Sequence, residues 1–167
     1  MEPLCLQAVP ALAPDQAQTL ARTLAGMDPW LTLGYSAESL ARGLATPDPG
    51  LVRHLILRGG ETLGLVAVRW PWLRGAYIEV FAVLPEAQGQ GVGDCALGLI
   101  EQEYRVRTGN LWLLVSGFNA GARRFYERHG FRTIGVIPDL VVQGQDEVLM
   151  RKVLPRGPAI ATAGGCG

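Results

Sequence analysis

The sequence predicts an α/β fold of the α+β kind, with a mixed, mostly antiparallel sheet of six to seven strands and helices on both faces. Two observations support this prediction. The chain has 167 residues, of which 49% are hydrophobic and 18% are charged, so it suits one domain with one buried core. Its periodic segments follow the order strand, two helices, three strands, helix, strand, helix and two strands, which is typical of a sheet covered on both faces.

The first third of the chain predicts one strand followed by two helices. Apolar residues recur at helical spacing after the strand, and Gly26 ends the first helix. The hydroxyl of Ser36 can accept a hydrogen bond from a backbone N–H of the second helix, so we expect Ser36 to be its N-cap. The predicted elements are a strand over 4–9 and helices over 15–24 and 37–44.

A meander of three strands comes next. The last of these strands is mostly apolar on both faces, which indicates a central position in the sheet. Strict alternation along it predicts that Glu79 lies on the same face as Phe81 and Val83. The three predicted strands cover 52–57, 62–70 and 76–84.

The second half of the chain predicts two helices and three strands. Asn119 is expected to cap the second of these helices, and Gly130 ends it. The predicted elements are a helix over 92–104, a strand over 111–115, a helix over 120–129 and strands over 131–137 and 147–153. We expect a single domain over 1–154, followed by a tail of small residues over 155–167.

Charge and composition exclude several classes of protein. The formal net charge is zero, so nothing indicates nucleic acid or an anionic membrane as a partner through bulk attraction. The three cysteines have no metal-ligand spacing, and no metal site is expected. The chain begins without a basic segment followed by an apolar run and has no apolar stretch of membrane-spanning length. We therefore expect a cytoplasmic protein without a membrane segment.

The most informative segment is a glycine-rich loop over 85–91 that joins a strand to a helix. Glycines allow backbone N–H groups to converge without obstruction by a Cβ. The first turn of the helix adds unpaired N–H donors and the positive end of the helix dipole. Together these features predict a site for a phosphate or pyrophosphate group.

Three phosphate-binding motifs compete for this loop. A P-loop would end in Gly-Lys followed by Ser or Thr, and the loop has no lysine. A dinucleotide fingerprint is nominally matched by Gly91, Gly93 and Ala96. Its glycines should follow the strand directly, however, whereas residues 85–90 intervene. The third pattern, Gln88-x-x-Gly91-x-Gly93 after a strand, resembles the acyl-CoA pyrophosphate loop of the GNAT superfamily of N-acetyltransferases.

A second segment downstream resembles the other signature of the same family. Residues 111–130 contain a strand, Asn119 at the start of a helix, Tyr126 two turns later, and Gly130 at its end. Two signatures in the right order make the resemblance specific. It covers about 52–153, and within the superfamily the chain looks most similar to the ribosomal-protein alanine acetyltransferases.

The resemblance implies a GNAT fold and direct transfer of an acetyl group from acetyl-CoA, the co-substrate, to a primary amine in a ternary complex. Tyr126 matches the residue that donates a proton to the departing CoA thiolate, whose basicity is comparable to that of a phenolate. Asn119 matches a side chain that contacts the CoA arm, and helix capping is an equally good role for it. The implied cofactor residues are the pantetheine positions Phe81, Ala82 and Val83 and the pyrophosphate positions Gln88, Gly89, Gln90, Gly91, Val92 and Gly93.

The general base is harder to assign, because the amine must lose a proton before it attacks. The alanine acetyltransferases carry a glutamate where this chain has Leu114. Glu79 is the best substitute, since it lies on the strand that leads to the loop. An ion pair at the edge of the strand is an equal alternative for Glu79, and water could also remove the proton.

The acceptor pocket in this family is formed by the first two helices and the loops of the meander. Aromatic rings beside an acid suit an amine-bearing ligand, and they equally suit ordinary packing. The acceptor therefore stays open between a protein N-terminus and a small-molecule amine, and a homodimer is left open as well. The residues that these segments offer are Asp28, Trp30, Tyr35, Trp70 and Trp72.

Two other functions remain as alternatives. The replacement of the strand acid by Leu114 leaves a non-catalytic acyl-CoA-binding regulatory module open. A dinucleotide-binding protein is weaker, since the loop fails the context of that fingerprint. Binding of CoA rather than NAD would distinguish both the N-acetyltransferase and the non-catalytic module from a dinucleotide-binding protein.

Overall fold

The structure is a computed structural model that describes residues 2–155. The predicted C-terminal tail therefore lies outside the described residues, except for its first residue. The elements are β1 (Leu4–Val9), α1 (Pro14–Ala25), α2 (Ala37–Ala45), β2 (Leu51–Arg58), β3 (Glu61–Trp72), β4 (Gly75–Val83), α3 (Val92–Tyr104), β5 (Asn110–Ser116), α4 (Ala120–Arg128), β6 (Arg132–Pro138) and β7 (Asp146–Val153), with one 3₁₀ turn at Pro85–Ala87 between β4 and α3.

The strands form one seven-stranded sheet in the order β1-β2-β3-β4-β5-β7-β6. Every neighbouring pair is antiparallel except β4 and β5, which run parallel. The prediction of a mixed, mostly antiparallel sheet is confirmed, as is the order of the elements. The chain places β7 between β5 and β6, so the last strand is internal rather than at the edge.

Helices cover both faces of the sheet, as predicted. On one face the inner sides of α3 and α4 pack on the sheet around residues such as Ile100, Leu113 and Met150. On the other face α1 and α2 pack around residues such as Leu24 and Leu65. Within residues 2–155 no helix has both the length and the hydropathy needed to cross a membrane.

The local capping predictions also hold. Ser36 accepts a hydrogen bond from the backbone N–H of Ser39 at 3.0 Å and so caps α2. Asn119 Oδ1 accepts one from the N–H of Ala122 at 3.1 Å and caps α4. Each bond satisfies an N–H that has no partner inside its own helix, which makes the start of the helix definite.

The prediction of strict alternation along β4 is wrong. Ala67 of β3 pairs with Val80 and the next residue, Val68, pairs with Ile78, so Glu79 is an extra residue in a β-bulge. Strict alternation would put Ile78 and Phe81 on opposite faces of β4. Because of the extra residue, both belong to the core beneath α3 and α4. Glu79 therefore does not share its face with Phe81 and Val83 in the way that alternation predicts.

Candidate active site

β4 and β5 separate along their length and leave a gap in the middle of the sheet. They pair only from Ala76–Leu111 to Ile78–Leu113, whereas β4 continues to Val83 and β5 to Ser116. A cavity of about 840 Å³ lies along this gap. Its size is in the range of small-ligand sites, and it extends from the start of α3 to the loop between α1 and α2.

One end of the cavity is the glycine-rich loop at the start of α3. Gly89 and Gly91 have φ of +72° and +74°, a left-handed conformation that favours glycine, and a Cβ at either position would meet nothing within 4 Å. No side chain caps α3, so its first N–H groups remain available to a ligand. Gln88 Nε2 donates to Val83 O at 3.0 Å and Gln90 Nε2 to Glu86 O at 2.7 Å, which holds the loop against the preceding residues.

The middle of the cavity is bordered by the C-terminal part of β4. A Cβ on Gly64 of β3 would lie 2.2 Å from the carbonyl oxygen of Ala82, so that oxygen is directed toward β3. Because backbone groups alternate in direction along a strand, the N–H and C=O groups of Phe81 and Val83 are directed toward the gap. The carbonyl of Val83 accepts its hydrogen bond from the side chain of Gln88.

Tyr126 lies at this middle region, on the inner side of α4. Its ring contacts Phe81, Phe125 and Phe131 at centroid distances of 6.2, 5.3 and 5.6 Å, and the residue is 8% exposed. Burial raises the pKa of its phenol above the ordinary value, so the hydroxyl keeps its proton at neutral pH. Asn119 and Tyr126 both line the cavity.

The start of α3 also carries an acid that sequence reasoning left out. The carboxylate of Asp94 lines the cavity, and its Oδ1 lies 3.0 Å from His129 Nε2 and 3.6 Å from Arg128. The ring of His129 packs on Phe125 at a centroid distance of 4.4 Å. These contacts give His129 a structural role.

At the other end of the cavity, three of the five predicted acceptor residues are present. Asp28, Trp30 and Tyr35 line it. For the two tryptophans of β3 the structure shows the packing role that the sequence left open: Trp70 packs against Tyr104 in the core beneath α3, and Trp72 is absent from the lining. The ring of Trp72 instead contacts those of Tyr77 and Trp112 at 4.8 and 5.8 Å. Tyr77, which does line the cavity, takes their place.

Glu79 lines the cavity on the side of α1 and α2 and is held by an ion pair. Its Oε2 accepts a hydrogen bond from Arg69 Nε at 2.7 Å, and Arg69 also contacts Asp48 at 3.0 Å. The bond with Glu79 raises the pKa of the Arg69 guanidinium. The geometry contains both features that the sequence left open, namely access to the cavity and an ion pair. A catalytic role for Glu79 stays a prediction.

A second carboxylate, Glu147 of β7, lines the same cavity and was missed in the sequence. It is 4% exposed, and its Oε1 accepts a hydrogen bond from Ser116 Oγ at 2.8 Å. Burial raises the pKa of its carboxyl group, and the bond from Ser116 opposes that effect in part. The one sequence signal is an acid at the start of a predicted apolar strand, and only the placement of β7 beside β5 brings it to the gap.

Comparisons with known proteins agree with this geometry. Residues 17–131 match the model of the acetyltransferase (GNAT) family. The chain is 35% identical over 107 residues to an uncharacterized N-acetyltransferase from Methanocaldococcus jannaschii, covering 62% of this chain and 68% of that protein. It is 31% identical to nourseothricin acetyltransferase. The crystal structure of that protein superposes on this one with a TM-score of 0.59, and the match covers 67% of this chain and 70% of that chain. The ribosomal-protein-S18-alanine N-acetyltransferase of Escherichia coli has a similar fold, with a TM-score of 0.68 at 19% identity over 95% of this chain and all of that one.

Proposed function

The chain belongs to the acetyltransferase (GNAT) family and is an N-acetyltransferase, and we propose that the cavity between β4 and β5 is its active site. Acetyl-CoA is the acetyl donor, and a primary amine attacks its thioester directly in a ternary complex. The observation that carries this assignment is the continuity of the cavity, which joins the uncapped start of α3 to an acidic and aromatic end beside α1 and α2.

The pyrophosphate of CoA binds at the start of α3. The loop residues Gln88, Gly89, Gln90, Gly91, Val92 and Gly93 surround that position, and the left-handed glycines leave its N–H groups unobstructed. A pyrophosphate carries negative charge, which the helix dipole and unpaired N–H donors stabilise without a basic side chain. Arg128 lines the same end of the cavity, where the carboxylate of Asp94 lies 3.6 Å away and offsets its charge, so the N–H donors remain the main attraction.

The pantetheine arm lies along β4 and takes the place of the pairing that β5 does not provide. Backbone groups of Phe81, Ala82 and Val83 are the candidates for this contact, and the two that face the gap are best placed. A backbone N–H directed at the thioester oxygen stabilises the oxyanion that forms on attack, an effect of about 3–4 kcal/mol in other enzymes. Asn119 borders the same arm while it caps α4.

Tyr126 donates a proton to the CoA thiolate as the carbon–sulfur bond breaks. Its burial among aromatic rings supports this role, because a phenol whose pKa is raised stays protonated until a strong base such as a thiolate forms beside it. Two carboxylates, Glu79 and Glu147, line the opposite end, and either is placed to accept the proton that the ammonium form of the acceptor must lose.

The acceptor is a cationic primary amine. The end of the cavity that lies beside α1 and α2 contains the acids Asp28, Glu79 and Glu147, with the rings of Trp30 and Tyr35 beside them. Carboxylates and aromatic faces both attract an ammonium group. A small-molecule amine and a protein N-terminus both satisfy this chemistry. The cytoplasmic location, a homodimer and the extent of the domain over 1–154 stay predictions, checked by fractionation, light scattering and limited proteolysis.

A panel of amines tests the function directly. We would measure release of free CoA thiol from acetyl-CoA with alanine- and serine-starting peptides, spermidine, kanamycin and nourseothricin as acceptors. Thermal shift with CoA and with NAD provides the matched binding measurement, in which only CoA should raise the melting temperature. Protein that binds CoA and acetylates none of these amines would favour the non-catalytic module, and stabilisation by NAD alone would reject the assignment.

A further inference from the structure

Glu147 occupies an unusual position for an acid, since it lies in the interior of the sheet at the point where the sheet opens. β7 pairs with both β5 and β6, so Glu147 has Ser116 on one side and Ile137 on the other. Its side chain shares the face of Ser116 and Leu114, two residues apart on β5. Leu114 pairs with Leu149, so Glu147 is its diagonal neighbour, at about 7–8 Å in a regular sheet.

Among the residues that the structure describes, no positively charged group pairs with Glu147 to hold it ionised. Among the ion pairs of residues 2–155, none involves Glu147, whereas Glu79 is paired with Arg69 at 2.7 Å. Oε1 accepts the bond from Ser116, and Oε2 accepts no hydrogen bond from the residues that the structure describes. The carboxylate thus has a free oxygen and lines the cavity.

Tyr77 of β4 connects Glu147 to the other charged and titratable groups at this end, which lie on β3, β4 and the loop between α1 and α2. The phenol of Tyr77 interacts electrostatically with both Glu147 and Glu79, as well as with Arg69 and Tyr35. Burial, reinforced by the two carboxylates, raises the pKa of Tyr77 to about 12, so it remains a neutral hydrogen-bond donor. Glu147 therefore faces neutral hydroxyls on two sides.

We infer that Glu147 is the general base that takes the proton from the ammonium group of the acceptor, and that Ser116 positions it. This inference rests on the proposed function. Burial without a neighbouring cation raises the pKa of the Glu147 carboxyl group, as a base working near neutral pH requires, and the free Oε2 beside the cavity can receive the proton.

The proton balance of the step is complete. The ammonium group gives one proton to Glu147, and the nitrogen lone pair then forms a bond to the thioester carbon. The carbon–sulfur bond breaks as the tetrahedral intermediate collapses, and the thiolate takes the phenol proton of Tyr126. The nitrogen loses its second proton as it becomes an amide, which restores Tyr126. Glu147 finally releases its proton to solvent.

The test is the pH dependence of kcat/KM for the best amine of the panel. Glu147→Gln keeps the shape and the partner of the side chain but cannot accept the proton. We expect kcat/KM at neutral pH to fall by about 100-fold or more, with recovery at high pH where the amine is already neutral. Affinity for CoA, measured by calorimetry, should stay within about twofold of wild type, because Glu147 lies at the acceptor end.

Two further variants keep the inference falsifiable if E147Q folds poorly. Ser116→Ala removes the bond that lowers the pKa of Glu147, so the acidic limb of the profile should move to higher pH. Glu79→Gln is the matched control, and it should leave that limb in place. An acidic limb that is unchanged in E147Q and S116A, or that moves only in E79Q, would overturn the inference. Acetylation by wild-type protein would still support the proposed function in that case. Wild-type protein that binds CoA without acetylating any amine would contradict both the inference about Glu147 and the proposed function.

Discussion

Gly91→Asp is the substitution that tests most directly where CoA binds. Gly91 is the residue before α3, with φ of +74°, and a Cβ built there meets nothing within 4 Å. The side chain therefore fits in the free protein, and the main cost to folding is the left-handed backbone, about 1 kcal/mol for a residue with a Cβ. A carboxylate in the phosphate site, by contrast, repels the pyrophosphate.

The size of that repulsion follows from Coulomb's law. Two unit charges about 4 Å apart repel by about 1 kcal/mol in water and about 4 kcal/mol at an effective dielectric constant near 20. Gly91 is exposed, so the effect lies between these limits, which corresponds to a loss of CoA affinity of about 5- to 1,000-fold. The loss should shrink at high salt, because mobile ions screen exposed charges.

Calorimetry with CoA on three variants separates charge from shape. Gly91→Asn has nearly the same volume as Gly91→Asp and the same tolerance of positive φ, so the difference between the two variants measures the charge alone. Gly98→Asp places the same charge farther along α3, where a Cβ also meets nothing within 4 Å, and should bind CoA like wild type. A folded Gly91→Asp protein with wild-type affinity for CoA would refute the placement of the pyrophosphate.

Three other predictions follow from the same contacts. Tyr126→Phe keeps the packed ring and loses the acid, so kcat should fall by about 10-fold or more while the Kd for acetyl-CoA, measured by calorimetry, stays near wild type; an unchanged kcat would make Tyr126 a core residue only. Gly64→Ala should lower the free energy of unfolding by about 1–3 kcal/mol in urea titration, since its Cβ would lie 2.2 Å from Ala82 O, whereas Gly43→Ala in open space on α2 should not. Burial raises the pKa of Glu147, so between its ordinary and folded values the folded state holds a proton that the unfolded state has lost. The stability of wild type should thus fall as pH rises through that window, and the melting temperature of E147Q relative to wild type should increase there; a difference that is constant with pH would contradict the raised pKa.

Much of the fold and one half of the site could be predicted from the sequence, because their signals are local. The order of strands and helices follows from hydrophobic period, and the caps Ser36 and Asn119 follow from residues within one turn of each helix. The phosphate end is equally local, since Gly89 and Gly91 make the loop through their own backbone conformation. The sequence alone therefore predicted the glycine-rich end of the cavity, where we propose that the donor binds.

The proposed acceptor end depends on tertiary pairing, which no single segment encodes. The bulge at Glu79 depends on how β4 fits β3, and it reversed the face that alternation predicts. Glu147 reaches the gap only because β7 inserts between β5 and β6, which places it opposite Ser116, 31 residues earlier in the chain. An acid at the start of an apolar strand gives the same sequence pattern whether that strand is internal or at the edge of the sheet. Its burial, its pKa and its access to the cavity come from the neighbours that the folded sheet supplies.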